Sequence, residues 1–178
     1  MAQGELCYAE FASPFGPVWV SGNDTGVTAI VLSPHEVKRA QRELLKRFPG
    51  ILRENSGKLA PVIREVSRYL DGSSEEIALQ ADLTGLPPFR QRVLKVLQTI
   101  PYGEVRSYQW VAVQAGSPRA FRAAGSACAA NPLPLLIPCH RVIAGDGSLG
   151  GFRGGTLLKK RLLALEGVDL SSMTRRRR

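Results

Sequence analysis

The chain has 178 residues, 44% of them hydrophobic and 22% charged, and a net charge of +9. That is the size of one large domain or two small ones, long enough to bury a core without staples. It excludes a disordered chain, a disulfide-framed miniprotein and a repeat array. No stretch approaches the roughly 18 uninterrupted apolar residues a membrane span needs. The first residues lack a basic-then-apolar signal layout, so the expectation is a soluble, intracellular protein.

In chain order, the first half mixes periods. Leu6–Phe11, Val18–Val20 and Val27–Leu32 are short β-prone runs. Turn groups at Ser13-Pro14-Phe15-Gly16-Pro17 and Gly22-Asn23-Asp24 separate them. They predict a small antiparallel sheet. Pro34 opens a helix to about Phe48, and Pro49-Gly50 closes it. A second helix is predicted over Ala60–Leu70, with Val62, Ile63, Val66 and Leu70 on one stripe. Ile77–Leu79 is expected as a last strand. Thr84-Gly85-Leu86-Pro87-Pro88 has the composition of a linker.

The second half reads as helices. Phe89–Ile100 places Val93, Val96, Leu97 and Ile100 at helical spacing. Ser107–Gln114 is a short helix ending near Gly116. Ser117 is the expected N-cap of another, with Pro118 at its first position, running to about Ala130. Two short helices joined by a tight turn are the layout of a helix-turn-helix. An apolar run, Leu135–Ile143, holds Pro138-Cys139-His140-Arg141, and a glycine-rich loop follows. A final helix is predicted over Thr156–Glu166, closed by Gly167. The division expected is an N-terminal α/β domain (1–84), a C-terminal helical domain (85–170) and a basic tail (171–178).

Charge follows this division. Residues 1–84 hold nine basic and eleven acidic groups, whereas 85–178 hold fifteen and four, a balance of −2 against +11. Without Arg175–Arg178 the second half still carries +7. One basic surface facing a polyanion is one reading, and an ordinary basic protein is the other.

Three cysteines cannot all pair, and Cys7, Cys128 and Cys139 show no paired metal spacing, so reduced thiols are expected. Cys139 and His140 are adjacent. A thiol attacks only as thiolate, and an imidazole is the usual means of making one. Neighbours in extended chain point opposite ways, so His140 is expected to act through a water or from a turned backbone. An activated imidazole needs an orienting group. Glu166 stands out among the few carboxylates of this half. It sits in the last turn of its helix, against the dipole, beside the stripe of Leu158, Leu162 and Leu165. The bland alternatives are an inert core cysteine and an exposed Glu balancing Lys159, Lys160 and Arg161.

The helix after Ser117 is nearly free of side-chain bulk: Ala120, Ala123, Ala124, Gly125, Ser126, Ala127, Ala129 and Ala130. Arg119 and Arg122 project from one side. Such a surface suits tight helix packing or a narrow nucleic-acid groove with an Arg entering the duplex. Cys128 reads as packing, and His35 and Cys7 as isolated structural residues. The glycine-rich loop does not match a nucleotide-binding pattern.

Several motifs then occur together and in order. They are Pro101-Tyr-Gly-Glu-Val-Arg-Ser-Tyr108, the smooth helix, Asn131-Pro-Leu-Pro-Leu-Leu-Ile-Pro-Cys139-His-Arg-Val-Ile143, Gly150-Gly-Phe-Arg-Gly154 and Leu162-Leu-Ala-Leu-Glu166-Gly. Over about Phe89–Val168 the chain resembles the O6-alkylguanine-DNA alkyltransferases; over 1–84 only the general layout agrees. The resemblance implies a small N-terminal α/β domain with an antiparallel sheet and a helical C-terminal domain with a (winged) helix-turn-helix. It implies repair of O6-alkylguanine, less readily O4-alkylthymine, by base flipping and irreversible transfer of the alkyl group to the protein's own cysteine.

By the same resemblance Cys139 is the acceptor and His140 the water-mediated base. Glu166 orients that base, and Asn131 holds the turn before the active segment. Arg122 fills the stack, Tyr108 contacts the flipped base and phosphate, and Gln109, Ser117, Arg119, Ala123 and Arg90 fall among the DNA contacts. Val142, Phe152, Arg153 and Gly154 form the alkylguanine pocket. The implied partner is double-stranded DNA carrying O6-alkylguanine, bound by a monomer, with cooperativity along the DNA left open. No cofactor and no membrane are implied. The implied compartment is the cytoplasm (nucleoid-associated), or the nucleus in a eukaryote. Some members bind zinc through two Cys and two His in the first domain; here that half offers only Cys7 and His35, so no metal is expected.

Competing readings are a lesion binder without an acceptor thiol, a Cys-His hydrolase, and a helix-turn-helix regulator. The presence of Cys139 argues against the first, and a hydrolase has no need of Arg122. A regulator needs bulky polar readers where this chain has alanines.

Overall fold

The computed structural model describes residues 5–171. The expected tail 171–178 lies outside them but for Ser171. Packing divides the chain into two compact units. One runs through Leu86 and also takes in Pro132–Leu136; the other comprises Pro87–Asn131 and the chain from Ile137 onward.

The first unit is a four-stranded sheet carrying two helices. Strands β1 (Leu6–Ser13), β2 (Gly16–Gly22) and β3 (Val27–Val31) are joined by short turns and pair antiparallel. Ser13 sets the first turn: its hydroxyl donates to the Gly16 carbonyl at 2.7 Å and accepts from the Phe15 N–H at 3.1 Å. After β3 a 3-10 turn (Pro34–Glu36) leads into helix α1 (Val37–Arg47). Strand β4 (Leu52–Glu54) then pairs parallel with β1, giving the order β3-β2-β1-β4. Helix α2 (Ala60–Leu70) follows.

The strands alternate between two buried faces. Leu6, Trp19, Ala29 and Val31 pack with Ala40, Leu44 and Phe48. Cys7, Ala9, Val20 and Ile30 occupy the opposite parity and are also buried, as are Val62, Val66, Tyr69 and Leu70 of α2. Burying each such aliphatic side chain contributes about 1.5–3 kcal/mol, which is why the sheet needs a helix.

Two expectations fail here. Ile77–Leu79 is not a strand; just after it, the Val27 N–H donates to the Gln80 carbonyl and the Asp82 N–H to that of Val27, which makes Ala81 an isolated parallel bridge to Val27. The fourth strand is instead Leu52–Glu54, three residues with one apolar side chain, too short to show a period.

The second unit is helical. It comprises α3 (Pro88–Leu97), α4 (Tyr108–Gln114), α5 (Phe121–Ala129) and α6 (Thr156–Leu165). A two-residue strand β5 (Arg106–Ser107) pairs parallel with β6 (Val142–Ile143). Helices α3, α4 and α5 pack on one another. Val93, Leu94, Leu97, Val111, Ala112, Ala124 and Ala127 are all buried.

Ser107 caps α4, accepting from the Trp110 N–H at 3.1 Å. Gly116, at φ +72°, ends it: the Gly116 N–H donates to the Val113 carbonyl and the Ser117 N–H to that of Ala112. This overturns the expected cap. Ser117 is used in closing α4, residues 117–120 form a turn, and α5 begins only at Phe121, with no side-chain cap. No helix among the described residues is long and apolar enough to cross a membrane.

Candidate active site

The apolar run before Cys139 does not stay extended. Cys139–Arg141 form a single 3-10 turn, with the Arg141 N–H donating to the Pro138 carbonyl at 3.0 Å. The turned backbone expected for His140 is therefore present. All three side chains are buried, with Cys139 7% exposed and His140 fully enclosed.

Glu166 is held by α6. It is the C-cap residue, and Gly167, at φ +73°, closes the helix: its N–H donates to the Ala164 carbonyl and that of Val168 to Leu163. The carboxylate receives three donors. His140 Nε2 lies 2.5 Å from Oε1, Arg141 Nε donates to Oε2 at 2.9 Å, and the Gly103 N–H donates to Oε2 at 3.0 Å. Arg141 also donates to the Ile100 carbonyl at 2.7 Å, and its guanidinium lies over the Tyr102 ring. The carboxylate's unfavourable place at a helix C-terminus is thus offset by a buried guanidinium. The exposed alternative for Glu166 is excluded by its burial.

A carboxylate at Nε2 places the ring proton on that nitrogen and makes Nδ1 the basic one. Burial pulls His140 below the usual imidazole value, although the Glu166 hydrogen bond works the other way. Burial also pushes the Cys139 thiol up, against a hydrogen bond from Asn131 and the charges of Lys159 and Arg153. At rest both partners are neutral. Passing the thiol proton to the imidazole creates a thiolate and an imidazolium, and the latter sits against Glu166.

Asn131 donates through Nδ2 to the Ile137 carbonyl at 2.8 Å. It spans the two ends of the Pro132–Leu136 stretch, within which Leu135 adopts φ 75°, a left-handed conformation rare for a branched residue.

Two cations were missed by the sequence reading as site residues. Arg141 clamps Glu166. Lys159, with no exposed surface, donates to the Val142 carbonyl at 2.5 Å and to that of Leu149. Burial lowers its pKa to about 8, against the pull of Cys139 and Cys128. A signal existed: Lys159 and Glu166 are seven residues apart, so they share a helix face with the buried Leu162 and Leu163.

Tyr108 is half-buried at the start of α4, with its hydroxyl 3.4 Å from the Gly151 carbonyl and Lys159 Nζ 6.0 Å from its ring. Burial, with the neighbouring Cys128 and Cys139, raises it to about 12, so it stays a neutral donor. A Cβ on Gly125 would lie 3.7 Å from this ring. The smooth helix has two distinct faces, and its buried one bears out the tight-packing reading. Ala124, Ala127 and Cys128 are buried, whereas Arg122, Ala123, Ser126 and Ala129 are exposed. Cys128, raised to about 12 chiefly by burial, is a packed thiol.

Val142 is buried directly after the turn, and Phe152, Arg153 and Gly154 are half-buried in the glycine-rich loop. Arg119 and Gln109 are exposed, with Gln109 donating to the Pro118 carbonyl at 2.7 Å. Arg90 and Ser117 are half-buried.

The neutral, buried His140 makes stability depend on pH. Its folded pKa lies below the unfolded value, so the unfolded chain takes up the proton first. The His140 contribution is present above about pH 6.5 and is lost as pH falls. The urea midpoint should drop between about pH 7.5 and 5.5, more steeply than in His140→Gln. Parallel profiles in the two proteins would contradict this.

A buried thiol thus directly precedes, in the chain, an imidazole held by a buried carboxylate, an arrangement with the groups that cysteine-based group transfer needs. Residues 6–83 match the family described as 6-O-methylguanine DNA methyltransferase, ribonuclease-like domain. Residues 88–168 match 6-O-methylguanine DNA methyltransferase, DNA binding domain. A methylated-DNA–protein-cysteine methyltransferase of Mycobacterium leprae is 40% identical over 86% of this chain and 88% of its own. The Mycobacterium tuberculosis O6-methylguanine methyltransferase superposes with a TM-score of 0.78 at 35% identity, covering 90% of this chain and 92% of that one. The M. tuberculosis OGT in complex with DNA gives 0.76 at 33%, covering 94% and 99%. The chain belongs to the methylated-DNA–protein-cysteine methyltransferase family.

Proposed function

We propose that the protein repairs duplex DNA by moving the alkyl group of O6-alkylguanine, and less readily of O4-alkylthymine, onto Cys139. The observation that carries this is the buried Cys139–His140–Glu166–Arg141 set within the segment matching the family's DNA-binding domain.

The alkyl carbon is poorly reached inside a stacked duplex, so the nucleotide is first rotated out. The helix-turn-helix pair α4–α5 binds the duplex, with Arg122 filling the vacated stack and Tyr108 beside the everted nucleotide. Gln109, Arg119, Ser117, Ala123 and Arg90 supply further DNA contacts in this reading. Val142, Phe152, Arg153 and Gly154 wall the base pocket.

Cys139 gives its proton to His140 through a water, and Glu166 steadies the imidazolium. The thiolate attacks the alkyl carbon, the sulfur–carbon bond forms as the carbon–O6 bond breaks, and the departing guanine anion takes up a proton. Donors stabilising charge on the leaving base lower the barrier. The product is a thioether, which no ordinary thiol chemistry reverses, so each molecule acts once. The protein works as a monomer in the compartment that holds the chromosome: the cytoplasm, or the nucleus in a eukaryote.

Intact mass after incubation with O6-methylguanine duplex tests this. A gain of about 14 Da, mapped to Cys139 and saturating at one per chain, is the expected result. Several lesions cleared per chain, or loss of lesions with an unmodified Cys139, overturns it.

A further inference from the structure

Helix α5 carries one large apolar side chain on its exposed face. Phe121, its first residue, is 44% exposed, while the rest of that face is small: Ala123, Ser126 and Ala129. The Arg122 guanidinium lies 5.7 Å from the Phe121 ring centroid, so the two side chains project to the same side. Phe121 is not among the buried residues of the unit. It stands between Arg119 and Arg122, in a stretch without a single carboxylate from Val105 to Gly145.

Such surroundings attract a polyanion and repel a basic partner. An exposed aromatic costs solvation unless something covers it, and no apolar neighbour patch surrounds it on this helix. Proteins that open a duplex from the minor groove insert apolar wedges at base steps, and aromatic rings stack on bases whatever their sequence.

We infer that Phe121 is a second duplex-opening residue: an aromatic wedge that packs against the base step next to the extruded nucleotide while Arg122 occupies the gap. The inference rests on the proposed DNA repair function and adds a residue to it. One side chain replaces the departing base, and the other holds the neighbouring step apart. The wedge acts on DNA and not on the reacting atoms, so its effect depends on the substrate being a duplex.

The experiment compares transfer rates of the unaltered protein, Phe121→Ala and Phe121→Trp on two substrates, O6-methylguanine in a duplex and free O6-benzylguanine. The duplex carries 2-aminopurine beside the lesion as a probe of unstacking. Phe121→Ala should slow duplex transfer about tenfold, the size of one lost base–aromatic stack, and lower the ratio of duplex to free-base rate. The 2-aminopurine signal on binding should fall with it, and Phe121→Trp should restore both. An unchanged duplex rate in Phe121→Ala overturns the inference. So does an equal slowing on both substrates, which marks a structural role, or a failure of Trp to restore what Ala lost. Absence of transfer by the unaltered protein on either substrate is a different result: it removes the proposed function, and the wedge with it.

Discussion

Cys139→Ser should abolish alkyl transfer while leaving duplex binding nearly intact. A serine hydroxyl is far less readily ionised than a thiol, and in a site this enclosed the charged form is disfavoured further. The cations that partly relieve Cys139, Lys159 and Arg153, act against the same burial that raises its pKa. They do not overcome an alcohol. The loss should exceed about a thousandfold, beyond ordinary single-group effects, because no second nucleophile replaces the sulfur. Binding should persist because the exposed face of α5 is untouched. Mass spectrometry and a gel-shift titration on the same preparation check both halves. Stoichiometric transfer by the serine variant would refute the assignment of Cys139.

Glu166→Gln should weaken both rate and fold. The amide keeps the volume and an acceptor, but it removes the charge that His140 and Arg141 both face. Arg141 is then a buried guanidinium left with the Ile100 carbonyl and the Tyr102 ring. Breaking a buried ion pair from one side costs about 3–5 kcal/mol, a large share of the stability of a domain. The imidazolium formed during transfer loses its counter-charge as well. Urea unfolding reads the first effect, and the rate under conditions where the variant stays folded reads the second. Full stability in the variant would mean that the carboxylate is not the balancing group. Full rate would mean that His140 needs no orienting partner.

How far the sequence could be read follows from where information was local. Helix α2 was legible to its ends because Val62, Val66 and Leu70 keep one period, and the close of α6 because Gly167 has a single conformational use there. Glu166 was legible as an anomaly, a carboxylate at the wrong end of a helix beside an apolar stripe. Strand β4 was not, because its pairing with β1 is decided by the chain returning through α1 and leaves no mark on three residues. The start of α5 was misread because Ser117 fits two roles. The N–H it gives to Ala112 is set by Gly116, not by the helix that follows. Lys159 looked like one of three surface cations until its burial distinguished it from Lys160 and Arg161.

The strip Pro132–Leu136 packs with the first unit, where the Pro132 carbonyl accepts from the Ile30 N–H at 2.9 Å. The polypeptide therefore changes unit at 86/87, at 131/132 and again at 136/137. Severing it once, at the proline-rich link, cannot yield two fragments that each match a packed half. The fragment with the buried sulfur would carry five residues shortly upstream of it whose packing partners lie in the other fragment.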